Sequence, residues 1–183
     1  MLRVEIYNRA PSKNLQEFVF RGSKTLEFLG LICEQSIGMD IDIERIRAFF
    51  VKDRFATNAG IVIDSVTKEE VRCSMPITSE HLNAGGTVQG GAIFTLADLA
   101  FAVHCNLRLF LGEKVGITVG QSNSISYLAT PKGKRLIARS ACLSSGQNVS
   151  VYRVEVWDDL GNFIADMRGN GFTKAAHFSS TAA

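Results

Sequence analysis

Neither sign of charge dominates the sequence: 20 Lys and Arg stand against 18 Asp and Glu, a formal net charge of +2. That balance excludes the field expected of a nucleic-acid-binding surface or a polybasic membrane patch. The first thirty residues lack an uncharged apolar run, because Arg3, Glu5, Arg9, Lys13, Glu17, Arg21, Lys24 and Glu27 recur through them. Neither a signal peptide nor a membrane span fits there. Cysteines are few and form no C-x-x-C pair: Cys33, Cys73, Cys105 and Cys142 lie 40, 32 and 37 positions apart. Such spacing favours free buried thiols in a reducing cytoplasm over a disulfide framework or a zinc ribbon. His81, His104 and His177 show no ligand spacing, so no metal site is expected. There is no G-x-S-x-G elbow and no ordered Ser–His–Asp set. Gly85-x-x-x-x-Gly90 has the spacing of a phosphate-binding loop, but Gly91-Ala92 stands where Lys and Ser/Thr are needed. What remains, at 183 residues and 46% hydrophobic, is a soluble cytoplasmic enzyme or ligand-binding domain able to bury a sizeable core.

The chain divides into an N-terminal extension (1–45), a main domain (46–174) and a small-residue tail expected to fray (175–183). Leu2, Val4 and Ile6 alternate with charges as in a short strand, and Thr25 to Ile37 suits a helix stopped by Gly38. A further helix, capped by Asp40 or Asp42, puts Ile43, Ile46, Phe49 and Phe50 on one face. Residues 1–58 carry nine basic and eight acidic residues, and no basic recognition helix stands out. From Gly60 the pattern turns to strands. Ile61–Val66 and Val71–Met75 predict a hairpin closed by Pro76. A glycine-rich loop, residues 83–91, leads into a thirteen-residue apolar helix, Gly91 to Val103, too short to span a bilayer. Strands are then expected over Thr118–Leu128, Leu136–Leu143, Val149–Trp157 and from Phe163 onward. Six strands and one buried helix describe an antiparallel α+β layer.

Two features of that helix could carry chemistry. Asp98 is an acid in a stretch, Ala92–Val103, that contains no cation, and Thr95 lies one turn earlier on the same face. The pair is either the helix's solvent edge or a polar notch whose carboxylate has the weak solvation useful in a nucleophile or general base. Gly90-Gly91 opens the helix and is either a plain tight turn or a site where unpaired N–H groups meet an anion or oxyanion. Asn83 is either a turn residue or a group that orients a water or a carbonyl. Lys132, Lys134 and Arg135 crowd one turn, either as a solvated cluster or as a phosphate contact. His104, six residues after Asp98, falls on another face and reads as a core or interface histidine.

The run His81-Leu82-Asn83-Ala84-Gly85-Gly86-Thr87-Val88-Gln89-Gly90-Gly91-Ala92-Ile93-Phe94-Thr95-Leu96-Ala97-Asp98 resembles the signature of the phenylacetate-degradation (PaaI-type) subgroup of hotdog-fold acyl-CoA thioesterases. That pattern is an Asn, a His-Gly-Gly turn and an Asp eight residues after its first Gly; Asn83, Gly90 and Asp98 match it, and Gln89 replaces the His. The Ile125-Ser126-Tyr127-Leu128 strand, the Pro131-Lys132-Gly133 turn and the closing strand order extend the likeness over about Ile46 to Lys174. The resemblance implies a hotdog fold, a curved antiparallel sheet wrapped around one long central helix, assembled as a dimer or dimer of dimers with active sites at the seam. It implies hydrolysis of an acyl-CoA without a separate cofactor, coenzyme A being part of the substrate. In that reading Asp98 is nucleophile or general base, the Gly90 N–H polarises the thioester carbonyl, and Asn83 helps place water or carbonyl. Gln89, Gly91, Thr95, Thr118, Ser122 and Lys132 line the substrate site, with Thr118 or Ser122 assisting from the partner subunit. A glutamine at 89 can donate a hydrogen bond but cannot become cationic. The alternatives are a non-catalytic acyl-CoA-binding hotdog sensor and an enoyl-CoA hydratase, for which His104 is poorly placed.

Overall fold

A computed structural model of the chain describes residues 41–174. The strand expected over Leu2–Ile6, the helix expected over Thr25–Ile37, Cys33, and the tail from Ala175 lie outside the described residues. The first described helix, α1 (Ile43–Phe50), is capped by Asp42, whose carboxylate accepts from the Arg45 N–H at 3.0 Å. Ile46 is its buried residue, and the Arg47 guanidinium donates to the Ile63 carbonyl at 2.6 and 3.0 Å. A short helix not anticipated from sequence, α2 (Arg54–Asn58), follows and is capped by Asp53.

The hairpin β1 (Val62–Val66) and β2 (Glu70–Pro76) forms as expected. A 3-10 turn (Ser79–His81) and the glycine-rich loop then lead into α3 (Gly90–Phe110). Strands β3 (Thr118–Tyr127), β4 (Arg135–Ser145), β5 (Val149–Asp158) and β6 (Phe163–Thr173) complete one six-stranded antiparallel sheet in the order β1-β2-β4-β5-β6-β3. Alternation decides which faces are buried. On β5, Ser150, Tyr152, Val154, Val156 and Asp158 turn inward, while Arg153 and Glu155 form ion pairs on the other face.

The thirteen-residue helix is corrected to 21 residues. Polarity after Val103 does not end it, because the buried polar groups find partners. The Asn106 side chain donates to the Thr118 carbonyl and accepts from the Thr118 N–H, at 2.9 and 2.8 Å, while His104 meets Ser140. By length and composition α3 could cross a membrane. Instead it packs against β2, β3, β4, β5 and β6, so it is the core helix of the fold. Leu96, Ala97, Ala100, Phe101 and Val103 meet Val71, Met75, Leu136, Val154 and Met167 in one core. Each large side chain so buried contributes about 1.5–3 kcal/mol. Close approach at Phe101 depends on glycine: a Cβ on Gly169 would lie 3.0 Å from its ring. The result is the hotdog architecture expected from the sequence, a sheet wrapped on one central helix.

Candidate active site

Gly90 is the first residue of α3, and Gln89 is its N-cap. The Gln89 side-chain Oε1 accepts from the Ala92 N–H at 3.0 Å, and its carbonyl accepts from the Ala92 and Ile93 N–H groups. A Cβ on residue 91 would come within 2.6 Å of that Oε1, so glycine at 91 leaves room for the cap. Among the described residues nothing accepts from the N–H of Gly90 or Gly91. These are the unpaired donors at the positive end of the helix dipole. Tyr127 approaches Gly90 from β3: its hydroxyl donates to the Gly90 carbonyl at 3.0 Å. Beside Gly90 opens a cleft of about 410 Å³, walled by Val88, Ile93, Tyr127, Leu128 and the Ala129–Pro131 loop.

Two turns further along α3, Asp98 is half-buried and has no ion-pair partner among the described residues. Burial pushes its carboxyl up from the ordinary carboxylate value; a hydrogen bond from Asn123 works against that push, and Asp53 adds to it. The Asn123 Nδ2–H donates to Asp98 Oδ1 at 2.8 Å. Thr95 does not join this pair by a hydrogen bond, since its hydroxyl donates to the Gly91 carbonyl at 2.8 Å. His104 is turned elsewhere, buried between Ser140 and the Lys68 carbonyl and packed on the Tyr152 ring. Burial favours its neutral form.

The remaining expected residues divide between loop architecture and sheet. Asn83 holds the glycine-rich loop: its Oδ1 accepts from the Gly85 and Thr87 N–H groups, and its Nδ2 donates to the Thr87 hydroxyl. Thr118 is buried at the end of the sheet, its hydroxyl shared with Thr173 at 2.8 Å. Ser122 points to the outer face, accepting from Asn170. Lys132 is exposed, and its N–H, with that of Gly133, binds the Asp158 carboxylate. No group of three His, Cys, Asp or Glu side chains suited to a metal occurs among the described residues. Within the chain, then, α3 carries Gly90, Gly91 and Asp98, but Asn83, Thr118, Ser122 and Lys132 make their hydrogen bonds away from Asp98.

Asn123 is the residue that the sequence reading did not single out. A bulge hides it: Gly120 pairs with Gly171 and Ser122 with Asn170, so Gln121 has no opposite residue and the inward face changes parity. Gly120 was the available signal, since an isolated glycine within a strand pattern marks bulges.

Residues 85–164 match the family model described as the thioesterase superfamily. The chain is 28% identical over 123 residues to acyl-coenzyme A thioesterase PaaI of Escherichia coli, covering 67% of this chain and 84% of that protein. The structure of the E. coli PaaI protein from the phenylacetic acid degradation operon superposes with a TM-score of 0.64 at 26% identity, covering 70% of this chain and 90% of that one. A mutant of phenylacetic acid degradation protein PaaI from Thermus thermophilus superposes with a TM-score of 0.60 at 28% identity, over 67% of this chain and 100% of that one. The six-stranded sheet, the enclosed helix and the matched segment running from the glycine-rich loop into β6 together support a hotdog-fold thioesterase of the PaaI type.

Proposed function

We propose that this thioesterase hydrolyses an acyl-CoA to the free acid and coenzyme A, using Asp98 and the Gly90 N–H. One observation carries the reading: a half-buried carboxylate with no ion-pair partner among the described residues lies on the helix whose unpaired N-terminal N–H groups open beside a cleft. A thioester carbonyl oxygen at the Gly90 N–H is polarised, and negative charge that develops there is stabilised. Asp98 either attacks the carbonyl carbon itself or takes a proton from the attacking water. In the second case the water oxygen bonds to carbon, the oxyanion rests at Gly90, and collapse expels the CoA sulfur, which takes up a proton. Asn83 supports the reaction by holding the loop that presents Gly90, and Lys132 lies on the turn that follows the cleft. His104 is held by Ser140 and the Lys68 carbonyl and does not pair with Asp98 as a hydratase needs.

Each site is completed by a second subunit. Gly90 and Asp98 are eight residues apart on one helix, roughly 12 Å at ~1.5 Å per residue. A carbonyl must have its oxygen ~3 Å from one group and its carbon ~3–3.5 Å from the other. Two antiparallel copies of α3 related by a two-fold axis bring Gly90 of one opposite Asp98 of the other. β3 supports that arrangement: it is an edge strand, bonded to β6 on one side, with Val115, Ile117 and Val119 exposed on and just before it. An edge of this length, unpaired among the described residues, invites another chain. The thiols of Cys73, Cys105 and Cys142 are free, which supports a cytoplasmic setting. Incubation of the pure protein with a panel of aryl- and fatty-acyl-CoAs and a thiol-reactive dye tests the reading. Release of free CoA is expected; binding without release would make the protein a sensor.

A further inference from the structure

β3 changes its inward face part-way along its length. Before the bulge Thr118 is buried and Gly120 faces the Phe101 ring; after it Asn123 reaches Asp98 and Ile125 packs on the core. Gln121, the residue left unpaired, causes the switch. Continued alternation would have put Ser122 and Ser124 inward and Asn123 outward. Opposite Asn123 in the register stands Gly169, where a Cβ would lie 2.8 Å from Asn123 Oδ1 and 3.0 Å from Phe101. The bulge therefore aims the amide, and the glycine makes room for it.

The placement is not explained by packing. Asn123 Oδ1 is buried without a hydrogen-bond partner among the described residues, an arrangement that lowers stability. What the residue gains is its contact with Asp98. We propose that Asn123 is a positioning residue for Asp98: its Nδ2–H holds Oδ1 of the carboxylate and sets the direction from which Oδ2 meets the thioester or the water. The proposal rests on the reading of Asp98 as the reacting carboxylate. A donor on Oδ1 also favours the ionised form against the upward push of burial and of Asp53, which caps α2. On α3 itself Cys105 feels Asp98, but burial pushes its thiol up to about 12 and keeps it neutral. Tyr152 on β5 is likewise raised by burial and stays neutral. β2, β4 and β6 bring no ion pair to Asp98 among the described residues.

The test uses full-length Asp98→Asn, Asn123→Ala, Asn123→Asp and the Asp98→Asn/Asn123→Ala double variant. CoA release is followed from whichever of acetyl-, hexanoyl-, palmitoyl- and benzoyl-CoA the parent cleaves fastest, with pH profiles and Tm. Asn123→Ala is expected to lower kcat by about 10–100-fold, as misplacement of a reacting group does. KM and Tm change little, and the acid limb of the profile moves to higher pH. Asn123→Asp keeps the shape but replaces the donor with an acceptor; it moves the limb further and loses more activity. The double variant is expected to be no worse than Asp98→Asn alone, as for residues acting as a unit. Parental kcat in both Asn123 variants overturns the proposal, as does a fall in kcat that follows Tm while the acid limb stays put. An active Asp98→Asn variant would instead remove the reading on which the proposal rests. An inactive one beside parental Asn123 variants removes the proposal alone.

Discussion

Asp98 sits where a carboxylate is least comfortable, half-buried on the core helix with one amide donor for company. Its raised pKa has a direct consequence for stability. A group whose folded pKa lies above its unfolded value stabilises the fold only at low pH, and that contribution is lost as pH rises through the folded value. At neutral pH the charge is a burden, so Asp98→Asn is expected to keep or raise Tm while kcat falls by about 10²-fold or more. Thermal unfolding beside CoA release checks both halves, and retained turnover would remove the assignment. Gln89 tests the other end of the helix. It caps α3 through its side-chain oxygen, a role that a neutral histidine nitrogen can also fill. Gln89→His is expected to stay within about tenfold of the parent in kcat/KM, equivalent to ~1.4 kcal/mol. At this scale Gly90 and Asp98 were legible, because a lone acid in an apolar helix and a glycine pair at its start break local patterns. Asn123 was not: polar residues fill β3 from Gln121 to Ser124, and only pairing with β6 reveals which of them turns inward.

At the scale of elements, the β3–β4 turn, whose first residues wall the cleft, depends on one carboxylate. Asp158 accepts from the N–H groups of Lys132, Gly133, Leu160 and Asn162 and from the Asn162 amide, at 2.8–3.2 Å. It thereby joins the β3–β4 turn to the β5–β6 turn. Burial alone would raise its carboxyl, but the Asn162 side chain and the backbone donors outweigh burial and hold it well below the usual range. A depressed folded pKa means stability that is complete above the unfolded value of about 3.9 and is lost as pH falls below it. Asp158→Ala is expected to cost about 2–3 kcal/mol, through broken charge-assisted hydrogen bonds. Its acid-unfolding curve below about pH 4 should also be flatter than the parent's. Urea unfolding across that range measures both, and an unchanged midpoint would show that the network is ornamental. The strands were legible from alternation and the turns from Asp-Asp-Leu-Gly-Asn and Pro-Lys-Gly. The end of α3 was not, since Asn106 looks like an exposed polar residue until Thr118 is brought beside it.

For the whole molecule the central claim is that two chains build each active site. An antiparallel α+β layer could be read from the order of elements, a hairpin, a buried helix and four strands, and the wrapping of the sheet around that helix from the resemblance carried by the run from His81 to Asp98. Where the edge strand lies could not, since sheet order depends on β3 returning to pair with β6 rather than with its neighbour in sequence. In the proposed function, that edge is where the second subunit joins the first. The decisive measurement mixes an Asp98→Asn chain with a Gly90→Pro chain and assays purified heterodimers for CoA release. Gly90 is the first residue of α3, the position where proline best suits a helix and removes only an N–H that is already unpaired. Gly90→Ala, which meets Tyr127 as proline does but keeps the N–H, controls for crowding. Each parent is expected to be nearly inactive, and the mixed dimer to recover one intact site of its two, about half the wild-type rate per dimer. Heterodimers with intact folds that recover nothing, beside an active Gly90→Ala control, would contradict a shared site.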